Sequence, residues 1–214
     1  AQSGCARAFA QNCVLPPSGL VSWWPGDGNL DDIQDANTGT SAGAVSFTTG
    51  NVGQAFSFNG ASDSYITLPN NANLLPASNR FTIDAWIKPD FSAQNALDTV
   101  LAKRDGCSAS GGASYYLYVI KFDPGFGGGH GGRPIGQVGL SMSAPNGPIG
   151  GADSATTLVP NDGQFHHVAG TYDGSAMKVY LDGQLAGETA RSGPLLVTAS
   201  AAVISRHAAQ CTQR

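Results

Sequence analysis

The sequence predicts an all-β protein, a two-sheet antiparallel jelly-roll sandwich of about ten to twelve strands. Composition supports this, because the 214 residues include 29 glycines, 12% charged residues and a single glutamate, Glu188, which disfavours helices. Short segments also alternate apolar and polar residues with period two, as half-buried strands do. Finally, Asp-Gly and Asn-Gly pairs separate these segments at positions suited to tight turns.

The clearest segment is "QFHHVAGTYDGSAMKVYLDGQLAG", residues 164–187. Asp173-Gly174 and Asp182-Gly183 predict two hairpin turns that join three strands, because glycine accepts positive φ and aspartate tolerates it. Side chains alternate faces along a strand, so His166 and His167 point in opposite directions. We therefore expect structural roles for the pair, with one histidine half-buried and hydrogen-bonded and the other at the surface, rather than one shared metal or substrate.

The remaining elements follow from the same alternation. "GLVSWW", from Gly19, predicts a first strand that ends in a Pro-Gly-Asp-Gly turn, and residues 35–51 predict a loop. Residues 55–58 and 65–68 predict a hairpin around Asn59-Gly60. Further strands are expected at 81–89, 98–105, 115–122 and 135–142, with loops at 123–136 and 144–153 and one or two short strands within 195–207.

Charge and hydropathy exclude several function classes. The net charge of -4 and the scattered basic residues argue against nucleic-acid binding, which needs clustered Lys and Arg. No apolar run approaches the roughly 20 residues of a membrane-spanning helix. The start "AQSGCARAFA" would suit a mature end left by signal cleavage.

Cysteine usage points to an oxidising compartment. Cys5, Cys13, Cys107 and Cys211 form no CxxC pair, so zinc ribbons and thioredoxin chemistry are not expected. An even number of cysteines in a glycine-rich, charge-poor chain predicts disulfides in a secreted protein, with the pairing open. Free buried thiols are the alternative.

Several of these segments together resemble the laminin-G-like, concanavalin-A-like jelly-roll family, with a distant similarity to pentraxins. They are "GLVSWWPGDGN", "GQAFSFNGASDSYITLP", "FTIDAWIKP", "TVLAKRDG…YYLYV" and "FHHVAGTYDGSAMKVYLDGQLAG", and the resemblance extends from about Gly19 to Arg206. It implies an extracellular module of two curved sheets that binds glycans, proteins or lipids, often with calcium. It does not imply catalysis, because one fold hosts many functions.

Two features depart from that family. The usual final strand, which lies beside the first, is not evident after "VISRHAAQCTQR", and an additional segment, residues 1–18, precedes the family-like domain at 19–214. An uncovered first strand would expose backbone groups and an apolar groove. These features predict that residues 1–18 act as a donor strand, from the same chain or from a neighbouring copy in a filament.

Candidate ligands follow from residue type and from the resemblance. Asp27, Asp32 and Asp63 lie in turn-rich segments and are candidate calcium ligands, Asp63 because it resembles a loop aspartate of calcium-binding pentraxins. The alternative is that these aspartates cap turns through their carboxylates. Trp24 and Trp86 are candidate platforms for sugar rings, with burial in the core as the alternative.

Two functions remain open at this level. The first is a secreted structural or adhesive subunit that self-assembles into a homo-oligomer or polymer by strand donation. The second is a calcium-dependent, lectin-like carbohydrate-binding module. Neither is an enzyme, because Glu188 is alone and no strand carries two carboxylates spaced by two, the pattern of glycosidases on this fold.

Overall fold

The computed structural model is an antiparallel β protein, as the alternation predicts. It describes residues 16–61, 63–76, 78–92, 97–104, 112–121, 134–145, 149–153 and 157–205. Within them one 3-10 turn, Ala72–Leu74, accompanies thirteen strands. The strands are β1 Thr40–Ala42, β2 Val45–Thr49, β3 Gln54–Phe58, β4 Tyr65–Thr67, β5 Phe81–Ile87, β6 Leu97–Arg104, β7 Ala113–Ile120, β8 Val138–Ser143, β9 Ile149–Asp153, β10 His166–Tyr172, β11 Ala176–Leu181, β12 Gln184–Ala190 and β13 Ala202–Ile204.

Two large sheets enclose the main core. The seven-stranded sheet has the order β1-β4-β13-β6-β7-β8-β9, and the four-stranded sheet has the order β12-β11-β10-β5. A separate pair, β2 with β3, flanks them. Buried side chains of both large sheets meet between them, including Leu117 and Leu140 from one and Val168 and Val179 from the other. Each large sheet therefore has a second face that points away from this core and can carry a binding site.

Strand β10 shows how the sequence sets this packing. Val168, Gly170 and Tyr172 are buried toward the opposite sheet, and a Cβ on Gly170 would lie 3.0 Å from a methyl of Leu140. Glycine therefore lets the two sheets approach closely at this point. The Tyr172 hydroxyl donates to the Gly193 carbonyl oxygen at 2.7 Å, which satisfies its polar atom inside the core.

Several predicted elements differ from the structure in the first third of the chain. Residues 19–24 form no strand; instead the Trp23 N–H donates to the Asp32 carboxylate, and the Trp23 carbonyl accepts from the Ile33 N–H. The predicted loop at 35–51 contains β1 and β2. Strand β1 pairs with β4 and β2 forms a hairpin with β3, but the Gly-, Ser- and Thr-rich composition of residues 35–51 gives neither strand a strong local signal.

The predicted hairpin of β3 with β4 is also wrong in its pairing. Strand β3 pairs with β2, and β4 pairs with β1 and β13. The predicted loop at 144–153 ends in β9, an edge strand that pairs with β8. This strand was not predicted because it contains glycines at 150 and 151, and glycine has a low strand propensity.

The position of β13 changes the argument about a missing final strand. Strand β13 lies inside the seven-stranded sheet, between β4 and β6, with Val203 opposite both Thr67 and Ala102. Since residues 19–24 are not a strand, the open edge expected beside "GLVSWW" is not formed. Residues 1–15 lie outside the described part of the chain, so strand donation remains a prediction.

Candidate functional site

The candidate metal ligand Asp32 serves as a backbone cap. Its Oδ1 accepts from the N–H of Trp23 at 2.8 Å and of Gln34 at 3.0 Å, and its Oδ2 accepts from the Asn37 N–H at 3.3 Å. Burial raises the pKa of this carboxyl, but these hydrogen bonds outweigh burial and lower the pKa below its usual value. Asp32 is therefore an ionised turn cap, as the alternative interpretation expected.

The other two candidate calcium ligands, Asp27 and Asp63, share no hydrogen-bond partner with Asp32 in the described part of the chain. Asp27 accepts from the Gln54 N–H at 2.7 Å, and Asp63 lies beside Gly43. Across the described residues, no group of three or more His, Cys, Asp or Glu side chains is arranged to hold a metal ion. Calcium binding by Asp27, Asp32 and Asp63 stays a prediction.

The two adjacent tryptophans differ in exposure. Trp24 packs in the cluster around Ile66 and Leu68, and its indole N–H donates to the Asn37 carbonyl oxygen at 2.8 Å. Trp23 is 49% exposed. The placement of Trp24 supports a packing role, since a sugar platform needs an accessible ring face.

Trp86 is the predicted ligand residue with the most favourable setting. It lies on the outer face of the four-stranded sheet and is 52% exposed. Directly opposite it on β10 is His167, whose ring lies edge-on at 5.3 Å between centroids. Trp86 and His167, together with Asp182 and Gly183 of the β11–β12 turn, line an open depression of about 430 Å³.

Carboxylates surround this aromatic pair. Asp84, two residues before Trp86 and on the same face, lies 3.2 Å from His167 Nε2. Asp182 Oδ1 accepts from the His167 N–H at 2.9 Å, while the Asp182 N–H donates to the His167 carbonyl oxygen at 2.8 Å. Positive φ at Asp182 and Gly183 forms the tight turn that brings this carboxylate beside β10.

His166 supports the same turn from the other face of β10. Its Nδ1 lies 2.9 Å from Asp182 Oδ2, and its Nε2 lies 3.2 Å from Asp162 Oδ1. The hydrogen bond with Asp182 chiefly raises the pKa of His166 above 6.5, with Asp162 adding to the effect and burial opposing it. The same hydrogen bond lowers the pKa of Asp182. The expected division of the histidines onto opposite faces is confirmed, but both are hydrogen-bonded, and His166 is the more buried.

The outer face of the seven-stranded sheet also carries aromatic residues, but they are buried. Tyr116 and Tyr118 lie 4.6 Å apart between ring centroids, with the Arg104 guanidinium 5.1 Å from the Tyr116 ring. Burial raises the pKa of Tyr116 to about 12. These two tyrosines are 7% and 3% exposed, so they offer no accessible ring face. Trp86 and Trp23 are both about half exposed, and of the two Trp86 lines the depression.

Sequence analysis identified Trp86 but missed Asp84, His167 and Asp182 as its neighbours. The Asp182-Gly183 turn was recognised as architecture, yet its carboxylate also lines the depression. The missing information was the β5–β10 register, which places Trp86 opposite His167. The cysteine predictions remain untested, because Cys5, Cys13, Cys107 and Cys211 lie outside the described residues.

Comparison with family models decides the classification. A model described as the Concanavalin A-like lectin/glucanases superfamily (Laminin_G_3) matches residues 59–212, well over half of the chain. The protein belongs to this family. The match contains the strands that carry Trp86, His167 and Asp182, and it confirms the resemblance seen in the sequence. A comparison with curated proteins found no match.

Solved structures of this concanavalin A-like fold include binding domains of larger proteins. Domain 4 of AbnA, an extracellular arabinanase from Geobacillus stearothermophilus solved with arabinotriose, has a TM-score of 0.56 and 21% identity over 83% of this chain and 77% of that chain. The binding domain of Paraclostridial Mosquitocidal Protein 1 has a TM-score of 0.58 and 13% identity, over 82% of this chain and 41% of that one.

A botulinum neurotoxin DC binding domain in complex with SialylT is also similar, with a TM-score of 0.55 and 12% identity over 82% of this chain. The chain spans about two fifths of the length of both toxin domains. At these identities the similarities establish the concanavalin A-like fold alone. No helix among the described residues is long and apolar enough to cross a membrane.

Proposed function

We propose that this concanavalin A-like protein is a secreted, non-catalytic carbohydrate-binding module whose site is the depression at Trp86. The observation that carries the proposal is the half-exposed indole flanked by Asp84 and Asp182. An indole face can pack against the C–H face of a sugar ring, and carboxylates beside it can accept hydrogen bonds from ring hydroxyls. Small-molecule sites commonly combine an apolar surface with a few such polar groups.

The proposal takes further support from the family and its neighbours. The arabinanase domain was solved with arabinotriose and the botulinum domain with SialylT, so glycan ligands occur on this fold. Sequence identity is too low to transfer either ligand or its position. The site on this chain is therefore argued from its own residues.

The pKa of Asp182 and the ion pair of Glu188 favour glycan binding over glycan hydrolysis. A glycosidase needs one carboxyl group with a raised pKa that can act as a general acid. The hydrogen bond from His166 instead lowers the pKa of Asp182. Glu188, the only glutamate, lies 3.5 Å from Lys178 in an exposed ion pair.

A glycan array with matched tryptophan variants tests the proposal. The wild-type protein should bind a subset of glycans, and Trp86→Ala should reduce binding at least about tenfold, since loss of a central aromatic contact typically costs more than about 1.4 kcal/mol. Trp23→Ala is the control, because Trp23 is exposed to a similar degree and does not line the depression. Equal binding by wild type and Trp86→Ala would refute this site.

A further inference from the structure

The polar atoms around Trp86 are predominantly hydrogen-bond acceptors. A carboxylate only accepts hydrogen bonds and offers roughly four lone-pair positions. Contacts within the described structure occupy one position at Asp84, from His167 Nε2, and two at Asp182, from His166 Nδ1 and the His167 N–H. Both carboxylates are about half exposed or more, so their remaining positions face the depression or solvent. A ligand that complements this surface must donate hydrogen bonds.

The charge around the depression is also negative. Asp84 and Asp182 contribute two carboxylates beside Trp86, and Asp162 adds a third on the far side of the His166 imidazole. Lys88, the residue that follows β5, has its Nζ over the Phe165 ring at 5.2 Å from the centroid. The other lysine on this sheet face, Lys178, is paired with Glu188. Carboxylates therefore outnumber the lysine ammonium groups available to a ligand.

We infer, building on the function proposed above, that this site selects uncharged glycans and rejects glycans whose contacting sugar carries a carboxylate, such as sialylated ones. Hydroxyl groups of a neutral sugar donate to Asp84 and Asp182 while a C–H face packs on Trp86. A sugar carboxylate would instead place its hydrogen-bond-accepting oxygens and its negative charge against the carboxylates of Asp84 and Asp182. Such like-charge contacts exclude unwanted ligands from binding sites.

Matched pairs of neutral and sialylated oligosaccharides test this inference. Lactose and sialyllactose form one pair, and an array supplies further pairs that differ only in the added sialic acid. For every pair whose neutral member binds, we expect binding at least about tenfold tighter than that of the sialylated member in low salt. The difference should shrink as salt rises, because the charges are exposed and screened.

Charge-removing variants locate the cause. Asp84→Asn and Asp182→Asn should each reduce the discrimination, because each removes a negative charge and supplies an amide donor. Asp31→Asn is the matched control, since Asp31 is exposed and lies outside the depression. It should leave the discrimination unchanged.

The outcomes separate the two proposals. Sialylated members that bind as tightly as neutral ones or more tightly, through Trp86, would overturn the selectivity and leave the glycan-binding function standing. Discrimination that survives in both Asp84→Asn and Asp182→Asn would also overturn it. Absence of binding to any glycan would remove the proposed function and the selectivity together.

Discussion

His167 on β10 lies directly opposite Trp86 on β5, with its ring edge-on to the indole at 5.3 Å between centroids and its Nε2 3.2 Å from Asp84. One histidine thus supports both the aromatic surface and a carboxylate of the proposed site. Cross-strand pairs of this kind fix side-chain orientation in a sheet. A binding surface on paired strands is more rigid than one on loops.

Replacement of His167 should therefore weaken glycan binding more than it lowers stability. In His167→Ala both Trp86 and Asp84 lose their neighbour, so we expect a severalfold loss of affinity. The free energy of unfolding should change by less than about 1 kcal/mol, because the side chain is partly exposed. His167→Gln, which keeps a donor for Asp84, should recover part of the affinity. Calorimetric titration with an array hit and denaturant unfolding measure the two effects; equal affinity in all three proteins would contradict this role.

The bridge from Asp162 through His166 to Asp182 predicts a pH dependence of stability. A protonated imidazole donates to both carboxylates, whereas a neutral one has a single N–H. Because the folded-state pKa of His166 is raised, its stabilising contribution is fully present below about 6.5 and is lost as pH rises through the folded pKa.

The measurement is the melting temperature of wild type and His166→Gln at several pH values. The wild type should exceed the variant by the largest margin near pH 5.5, and the margin should shrink toward pH 9. Asp162→Asn removes one of the two carboxylate partners and should flatten this pH dependence. A margin that grows with pH would show that the neutral form is the one the fold stabilises.

Asp32 should be a stabilising cap. Asp32→Ala removes the acceptor of three backbone N–H groups in a buried setting, and we expect a loss of about 1–3 kcal/mol in the free energy of unfolding. Asp31→Ala is the neighbouring control and should change stability by less than about 0.5 kcal/mol.

The same pair of variants addresses calcium. If Asp32 acts only as a cap, its replacement costs the same free energy in calcium and in excess chelator. If Asp32 ligates calcium, chelator lowers the melting temperature of the wild type and abolishes much of the difference from Asp32→Ala, because a metal stabilises only the state that binds it.

Core packing between the sheets gives a fourth prediction. A methyl group on Gly170 would lie 3.0 Å from Leu140 and 3.1 Å from Leu117, both completely buried. Gly170→Ala should lower the free energy of unfolding by about 1–3 kcal/mol, the usual cost of overpacking. Gly170→Ala combined with Leu140→Val should be less destabilised than the sum of the two single variants; additive losses would show that the contact does not carry the effect.

An element was predicted well where the residues that define it lie close together along the chain, and poorly where they lie far apart. Strands β10 to β12 were predicted well, because Asp173-Gly174 and Asp182-Gly183 fix their connections locally. The pairing of β4 with β13 joins residues far apart in the chain, and no local signal specifies it. The same reason explains why the neighbours of Trp86 were not predicted. Exposure of Trp86 is set by which face of β5 packs inward, and its proximity to His167 is set by a register that alternation alone does not define.

The most direct test of the proposed site uses the side-chain N–H signals of the three tryptophans, Trp23, Trp24 and Trp86, in two-dimensional NMR spectra. Assignment follows from single Trp→Phe variants. On titration with a neutral glycan that binds, the Trp86 indole signal should shift progressively, while the Trp24 signal, held by its hydrogen bond to Asn37, and the Trp23 signal stay in place. A glycan that binds with no change at Trp86, or with the principal shift at Trp23 or Trp24, would contradict the account.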